Sequence, residues 1–189
     1  MTTIRKLFRN LYRDESGTAV IEAIIIFPIL TWALVAMTVY FDAFRTRSVN
    51  LKAAFTISDL LSRQKSTVDG DFIDGLEVIF NSLISSRHPT WIRTTLIRFD
   101  ANDPDDPIDD EHIVQWSYAT GPADEYNDTS ILTVKNLIPV MGNGDTALII
   151  ETHTRYVPTF DIGLASSNMD QFIVTRPRFG SPCWESCLN

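Results

Sequence analysis

The chain has 189 residues, a hydrophobic fraction of 44% and a formal net charge of -8. That length accommodates one ordinary domain beyond an anchor, and that apolar content supports a packed core and excludes wholesale disorder. Arg5, Lys6, Arg9 and Arg13 balance Asp14, Glu15, Glu22 and Asp42, so the whole acidic excess lies from Ala43 onward. Such a body excludes nucleic acid as its partner, because phosphates are repelled.

The first element is the run AVIEAIIIFPILTWALVAMTVYF, Ala19 to Phe41, 23 residues in which Glu22 is the only ionisable group expected to carry charge. Roughly 20 apolar residues suffice to cross a bilayer as a helix. Trp32 falls well inside the run, and Tyr40 and Phe41 fall at its far end, where aromatic rings favour the interface. A cleavable secretory signal is the competing reading. Its apolar region is usually about 7–15 residues and ends in small residues; this run is longer, and Leu34-Val35-Ala36 is a poor cleavage pattern. An uncleaved span is therefore expected. Four cations in the first 13 residues put the N-terminus on the cytoplasmic side, against Arg45, Arg47 and Lys52 on the other flank.

Two residues within the run call for a reason. A carboxylate costs about 2.5–3.5 kcal/mol near a bilayer centre and less near an end. Glu22 stands in the first turns, so it either reaches toward the headgroups or awaits a positive partner supplied on assembly. Pro28 removes one helical hydrogen bond and frees the carbonyl of Ile24, which predicts a kink or local melting there.

The helix is expected to continue past the membrane, from about Ser16 to Arg63. Val49, Ala53, Ile57, Leu60 and Leu61 recur at spacings of three and four, forming one apolar stripe, with Arg45, Arg47, Lys52 and Arg63 on other faces. Phe72, Ile73, Leu76, Ile79, Phe80 and Leu83 predict a second, short helix with Asp69 or Asp71 at its start and His88-Pro89 at its end. Beyond Pro89, WIRTTLIRF, HIVQWSYA, TALIIETHTRYV and QFIVTR are rich in β-branched and aromatic residues and predict strands. ILTVKNLI, before Pro139, predicts a helix. The fold class is α+β: a small antiparallel sheet packed on the amphipathic half of a long N-terminal helix.

Chemistry-bearing patterns are sparse. His88, His112 and His153 pair with no other His or Cys at metal-ligand spacing, and no nucleophile elbow, P-loop or dinucleotide fingerprint occurs. The chain is expected to be neither an enzyme nor a cofactor protein. Asp100 to Glu111 holds seven acidic residues in twelve, with Asp100, Asn102 and Glu111 at positions one, three and twelve of a calcium-loop frame. Pro104 and Asp105 stand where that frame needs a ligand and a glycine, so a solvated acidic loop is favoured over a weak calcium site. Cys183 and Cys187 frame CWESC. In an oxidising compartment they can pair with each other, closing a short loop of small stabilising value; otherwise they are free thiols.

The run DESGTAVIEAIIIFP behind a basic tail resembles the start of TadE-like (TadE/TadG-type) pseudopilins of the tight-adherence (Flp, type IVc) pilus system. Leu137-Ile138-Pro139, Gly144-Asp145-Thr146, ALIIETHTRYVPTF and IVTRPRFG resemble, more loosely, that family's soluble domain. The resemblance covers the first 45 residues well and residues 137–180 loosely. It implies a pilin-like fold with a basic leader (1–17), a transmembrane helix (18–42) and an extracytoplasmic domain (43–189). It also implies processing by a prepilin peptidase between Gly17 and Thr18, which puts Glu22 at mature position five. A new amino terminus at Thr18 would then supply the cation that Glu22 lacks, on a neighbouring subunit. The family also contains uncleaved membrane components, so both forms stay open. Implied partners are other pilin-like subunits, Tad assembly components, the peptidase and inner-membrane lipid, with Glu22 and Pro28 as docking residues. The other reading is a membrane-tethered periplasmic binding module, calcium-dependent through Asp100, Asn102 and Glu111.

Overall fold

The computed structural model of the chain describes residues 17–65, 67–86, 88–101 and 110–185. In chain order these form α1 (Thr18–Ser62), α2 (Gly70–Ile84), β1 (Trp91–Ala101), β2 (Asp110–Ala119), a 3-10 helix (Ser130–Leu137), β3 (Thr146–Tyr156) and β4 (Ser167–Thr175). The architecture is α+β, with one long apolar N-terminal helix and a four-stranded open sheet of order β2-β1-β3-β4 in which each neighbouring pair is antiparallel.

Helix α1 has 45 residues, which at about 1.5 Å per residue makes it roughly 67 Å long. It runs unbroken through Pro28, so the expected local melting does not occur. The hydroxyl of Thr31 donates to the carbonyl of Phe27 at 2.8 Å, one turn earlier; the carbonyl that Pro28 frees is that of Ile24. The stripe that meets the sheet is Ala53, Ala54, Ile57, Ser58, Leu61 and Ser62, all buried. Leu60 corrects the expected stripe. It is 43% exposed, and Ala54 and Ser58 are buried on the helix instead.

Helix α2 starts where the Asp69 carboxylate accepts a hydrogen bond from the backbone N–H of Phe72 at 2.8 Å. Such a cap satisfies one of the first unpaired amides and stabilises a helix by about 1 kcal/mol. The helix ends at Ser85, in the left-handed conformation with φ 51°. Its buried face, Ile73, Leu76 and Phe80, closes the main core with Ala53, Ile57 and Leu61 of α1 and Ile92, Leu96, Trp116, Leu148 and Ile150 of the sheet.

The opposite sheet face is also covered. Ile97, Phe99, Ala147 and Ile149 pack against Ile131 and Met141, with Val134 and Ile138 of the intervening segment partly buried on them. A slip in the β1–β2 register between Leu96 and Ile97 pairs those residues with Trp116 and Val114, leaving Gln115 as the extra residue of a bulge. It turns Trp116 toward the helices and Val114, two residues away, toward the other layer. The C-terminal segment straps the helix side: Trp116 Nε1 donates to the carbonyl of Pro182 at 2.9 Å, and Val68 forms an isolated bridge with Trp184.

Candidate functional site

Two halves of α1 face different surroundings. From Val20 to Leu34 every described residue is exposed, and the most apolar stretch, with a mean hydropathy of 2.3, has no buried residue. Beyond it the helix begins to be covered: Met37 is 74% exposed, whereas Val39, two positions on, is 4% exposed. The twelve Val, Ile, Leu and Phe residues between Val20 and Phe41, at about 0.3–0.6 kcal/mol each, favour insertion by about 4–7 kcal/mol. That exceeds the roughly 2.5–3.5 kcal/mol charged to one carboxylate at a bilayer centre. By length and composition this helix is able to cross a membrane.

The residues expected to act in processing and docking lie on this bare half. Gly17 is the N-cap, with no side chain to hold the first amides, and Thr18 is the first helical residue. Glu22 is exposed one turn further on, beside Ala23, Ile26, Phe27 and Leu30. Pro28 lines a cleft with Phe27, Thr31, Trp32 and Val35 whose other wall is Phe160, Asp161 and Ile162 of the β3–β4 loop. The other candidates are remote from these. Asp100 and Glu111 are opposite partners in the β1–β2 ladder, while Asn102 lies outside the described residues. Among the described residues no three His, Cys, Asp or Glu side chains cluster as a metal site would require. Cys183 is disulfide-bonded, and Cys187 lies outside the described residues.

A clasp joins the bare half to the domain. The Tyr156 hydroxyl, at the end of β3, donates to the Asp42 carboxylate at 3.2 Å and sits 3.4 Å from the carbonyl of Val39. Burial raises the Tyr156 pKa above its usual value of 10.0, and the hydrogen bond and charge of Asp42 raise it further.

A polar network absent from the sequence expectations lies on the outer sheet face. Arg93 Nε meets Glu151 Oε2 at 2.5 Å, with each side chain 14% exposed. Its other nitrogens donate to the Asp124 carbonyl at 2.8 Å and the Tyr126 hydroxyl at 2.7 Å, and the guanidinium lies 3.7 Å from the Tyr126 ring centroid. Burial raises the Tyr126 pKa, and the charge of Glu151 adds to it against the opposing charge of Arg93. Alongside, His153 stacks on Trp91 at 5.1 Å and pairs through Nδ1 with Asp170. Residue pattern gave no signal for the network: Arg93 and Glu151 share their sheet face with Ile97 and Ile149, and only the strand register brings them together.

The chain matches no known protein-family model, no curated protein and no solved structure.

Proposed function

We propose that this chain is a membrane-anchored, pilin-like assembly component of a Flp/Tad-type pilus, acting through helix packing in the membrane and contacts of its folded domain. The observation that carries the reading is the division of α1. A single helix is bare and apolar for its first half, holds one exposed carboxylate there, and serves as the spine of a sheet domain for the remainder. An anchor that only tethered a domain has no need of Glu22. A helix that packs on copies of itself can use it, because a carboxylate paired with a neighbour's amine escapes the cost of standing alone in lipid. On this reading the basic tail is cytoplasmic, the membrane is the bacterial inner membrane and the acidic domain is periplasmic.

On the resemblance, Gly17 ends the leader, and a peptidase cutting between Gly17 and Thr18 would leave α1 with a new amino terminus at Thr18. The test is the N-terminal sequence of the membrane-extracted protein, made with and without a prepilin peptidase. A chain starting at Thr18 only with the peptidase is the expected result. An intact Met1 in both samples removes processing, and retained pilus assembly by Glu22→Ala would remove the docking role as well.

A further inference from the structure

We infer that the tip of the β3–β4 loop, residues 157–166, lies in the membrane interface beside α1, with Phe160 and Ile162 in contact with lipid; this rests on the reading of α1 as a membrane span. The loop does not leave the helix where the domain ends. Thr159 and Phe160 line a cleft with Thr38, Val39 and Asp42, and then Phe160, Asp161 and Ile162 line the next one down, with Phe27, Pro28, Thr31, Trp32 and Val35. The loop therefore descends along the bare apolar surface toward the N-terminus, level with residues that have only lipid to cover them if the helix crosses a bilayer.

Depth follows from the helix itself. Arg13, Asp14 and Glu15 are the last charged residues before the span, so a hydrocarbon layer of about 30 Å, or 20 residues, starting near Ser16 ends near Ala36. Phe160 stands at that boundary. Asp161 and Ile162 face a stretch centred near Thr31, about 8 Å below it at 1.5 Å per residue. An apolar surface buried about 5–10 Å into the headgroup–acyl boundary is the ordinary depth of interfacial segments. Irregular backbone at this depth is tolerated only where it packs on protein, which here is the Phe27–Val35 face of α1.

The composition of the loop agrees with that placement. Its only charged residue is Asp161, whose carboxylate accepts a hydrogen bond from the Gly163 N–H at 3.3 Å. Gly163, at φ 90°, provides a turn that side-chain-bearing residues rarely adopt. Phe160 is 56% exposed and stands beside the apolar face of α1. With the boundary at Ala36, Tyr40, Phe41 and Phe44 fall in the headgroup layer, where aromatic side chains are favoured. The domain is then docked on the bilayer surface and held by two elements, the helix and the loop.

The experiment uses the full chain in phosphatidylcholine–phosphatidylglycerol vesicles, with single cysteines Ile26→Cys, at the centre of the span, Phe160→Cys and Ile162→Cys. These are labelled with an environment-sensitive fluorophore without reductant, so that the Cys183 disulfide stays closed. Quenching by nitroxide lipids, at headgroup or chain-end positions, is read against quenching by aqueous iodide. The expected result is deep quenching at position 26, shallow quenching at 160 and 162, and loss of iodide quenching at all three relative to a label at Leu132→Cys. Deep quenching at 26 with iodide-accessible, lipid-unquenched labels at both 160 and 162 overturns the inference and leaves the span intact. Absence of lipid quenching at 26 overturns the span and the inference with it.

Discussion

The division of α1 makes a sharp prediction, because two chemically identical substitutions in one helix should have unrelated consequences. Leu61 is 0% exposed and packs against Ile57, Leu76 and the sheet residues of the main core; Leu34 is 66% exposed. Leu61→Ala removes about three methylene-equivalents of burial, worth about 0.8 kcal/mol each. It also leaves a cavity between two helices and a sheet that cannot fully collapse, giving a total of about 2–5 kcal/mol. A domain of this size typically has about 5–15 kcal/mol in all. At about 2–4 °C per kcal/mol its melting temperature should fall by about 10 °C. Leu34→Ala should leave the melting temperature unchanged and weaken membrane insertion by only about 0.3–0.6 kcal/mol. Thermal unfolding in detergent, followed by tryptophan fluorescence, is a suitable assay, since the Trp116 and Trp184 rings lie 5.4 Å apart within the core. Equal melting temperatures for Leu61→Ala and the parent chain would refute the claim that the second half of α1 is part of the domain core. A large loss with Leu34→Ala would refute the claim that the first half is bare.

Three further outcomes follow from the contacts. Tyr156→Phe removes a hydroxyl bound to the exposed Asp42 carboxylate, so at neutral pH it should cost only about 0.5–1.5 kcal/mol. The Tyr156 pKa is raised in the folded chain, so its contribution is complete below the unfolded value near 10 and is lost as pH climbs through the folded value. The variant should therefore show a shallower alkaline loss in urea titrations above about pH 10. At the outer face, Arg93→Ala strands a Glu151 that is 14% exposed and should cost about 2–3 kcal/mol in denaturant midpoint analysis. Arg93→Lys should recover less than half of this, because an ammonium cannot hold Glu151, Asp124 and Tyr126 together. Finally, Trp184→Ala removes the ring packed on Trp116 and Tyr118. A fall of about 2–4 kcal/mol is expected by chemical denaturation, toward the lower part of the usual range for aromatic truncation because Trp184 is only partly buried.

What could be read from the sequence were the features that a local pattern encodes. An acidic residue precedes the apolar period of α2, so a start at Asp69 or Asp71 was legible from residue type, and the structure selects Asp69 as the cap. The strands were legible because β-branched and aromatic runs sit between breakers. ILTVKNLI was read correctly as helical but folds as a 3-10 helix. This is a distinction of hydrogen-bond register that composition does not carry. The sheet order was not legible, because the pairing of β1 with β3 joins residues such as Trp91 and His153 across more than sixty positions. For the same reason the Arg93–Glu151–Tyr126 network escaped notice: its members become neighbours only once the register is set.

The hardest feature to read was where the domain begins on α1, and the reason is physical. Periodicity reports burial only where polar residues mark the uncovered faces, as Arg45, Arg47 and Lys52 do for the later turns. Between Ala19 and Phe41 every face is apolar, so the sequence is equally consistent with lipid on all sides and with protein on one. Val39 is covered by the domain although it lies in that run, and Tyr156 reaches it through a long-range contact that no local pattern encodes. A helix that is apolar all round is thus free to exchange one covering for another without a change of residue type. The same property lets the β3–β4 loop lie along Phe27–Val35, and it would let a second helix pack there in an assembly. Substitution of Val39 by Asp separates these coverings. It should destabilise the folded domain in detergent, where lipid is irrelevant, whereas a charge at the bare position Leu30, inside the span, should impair only insertion.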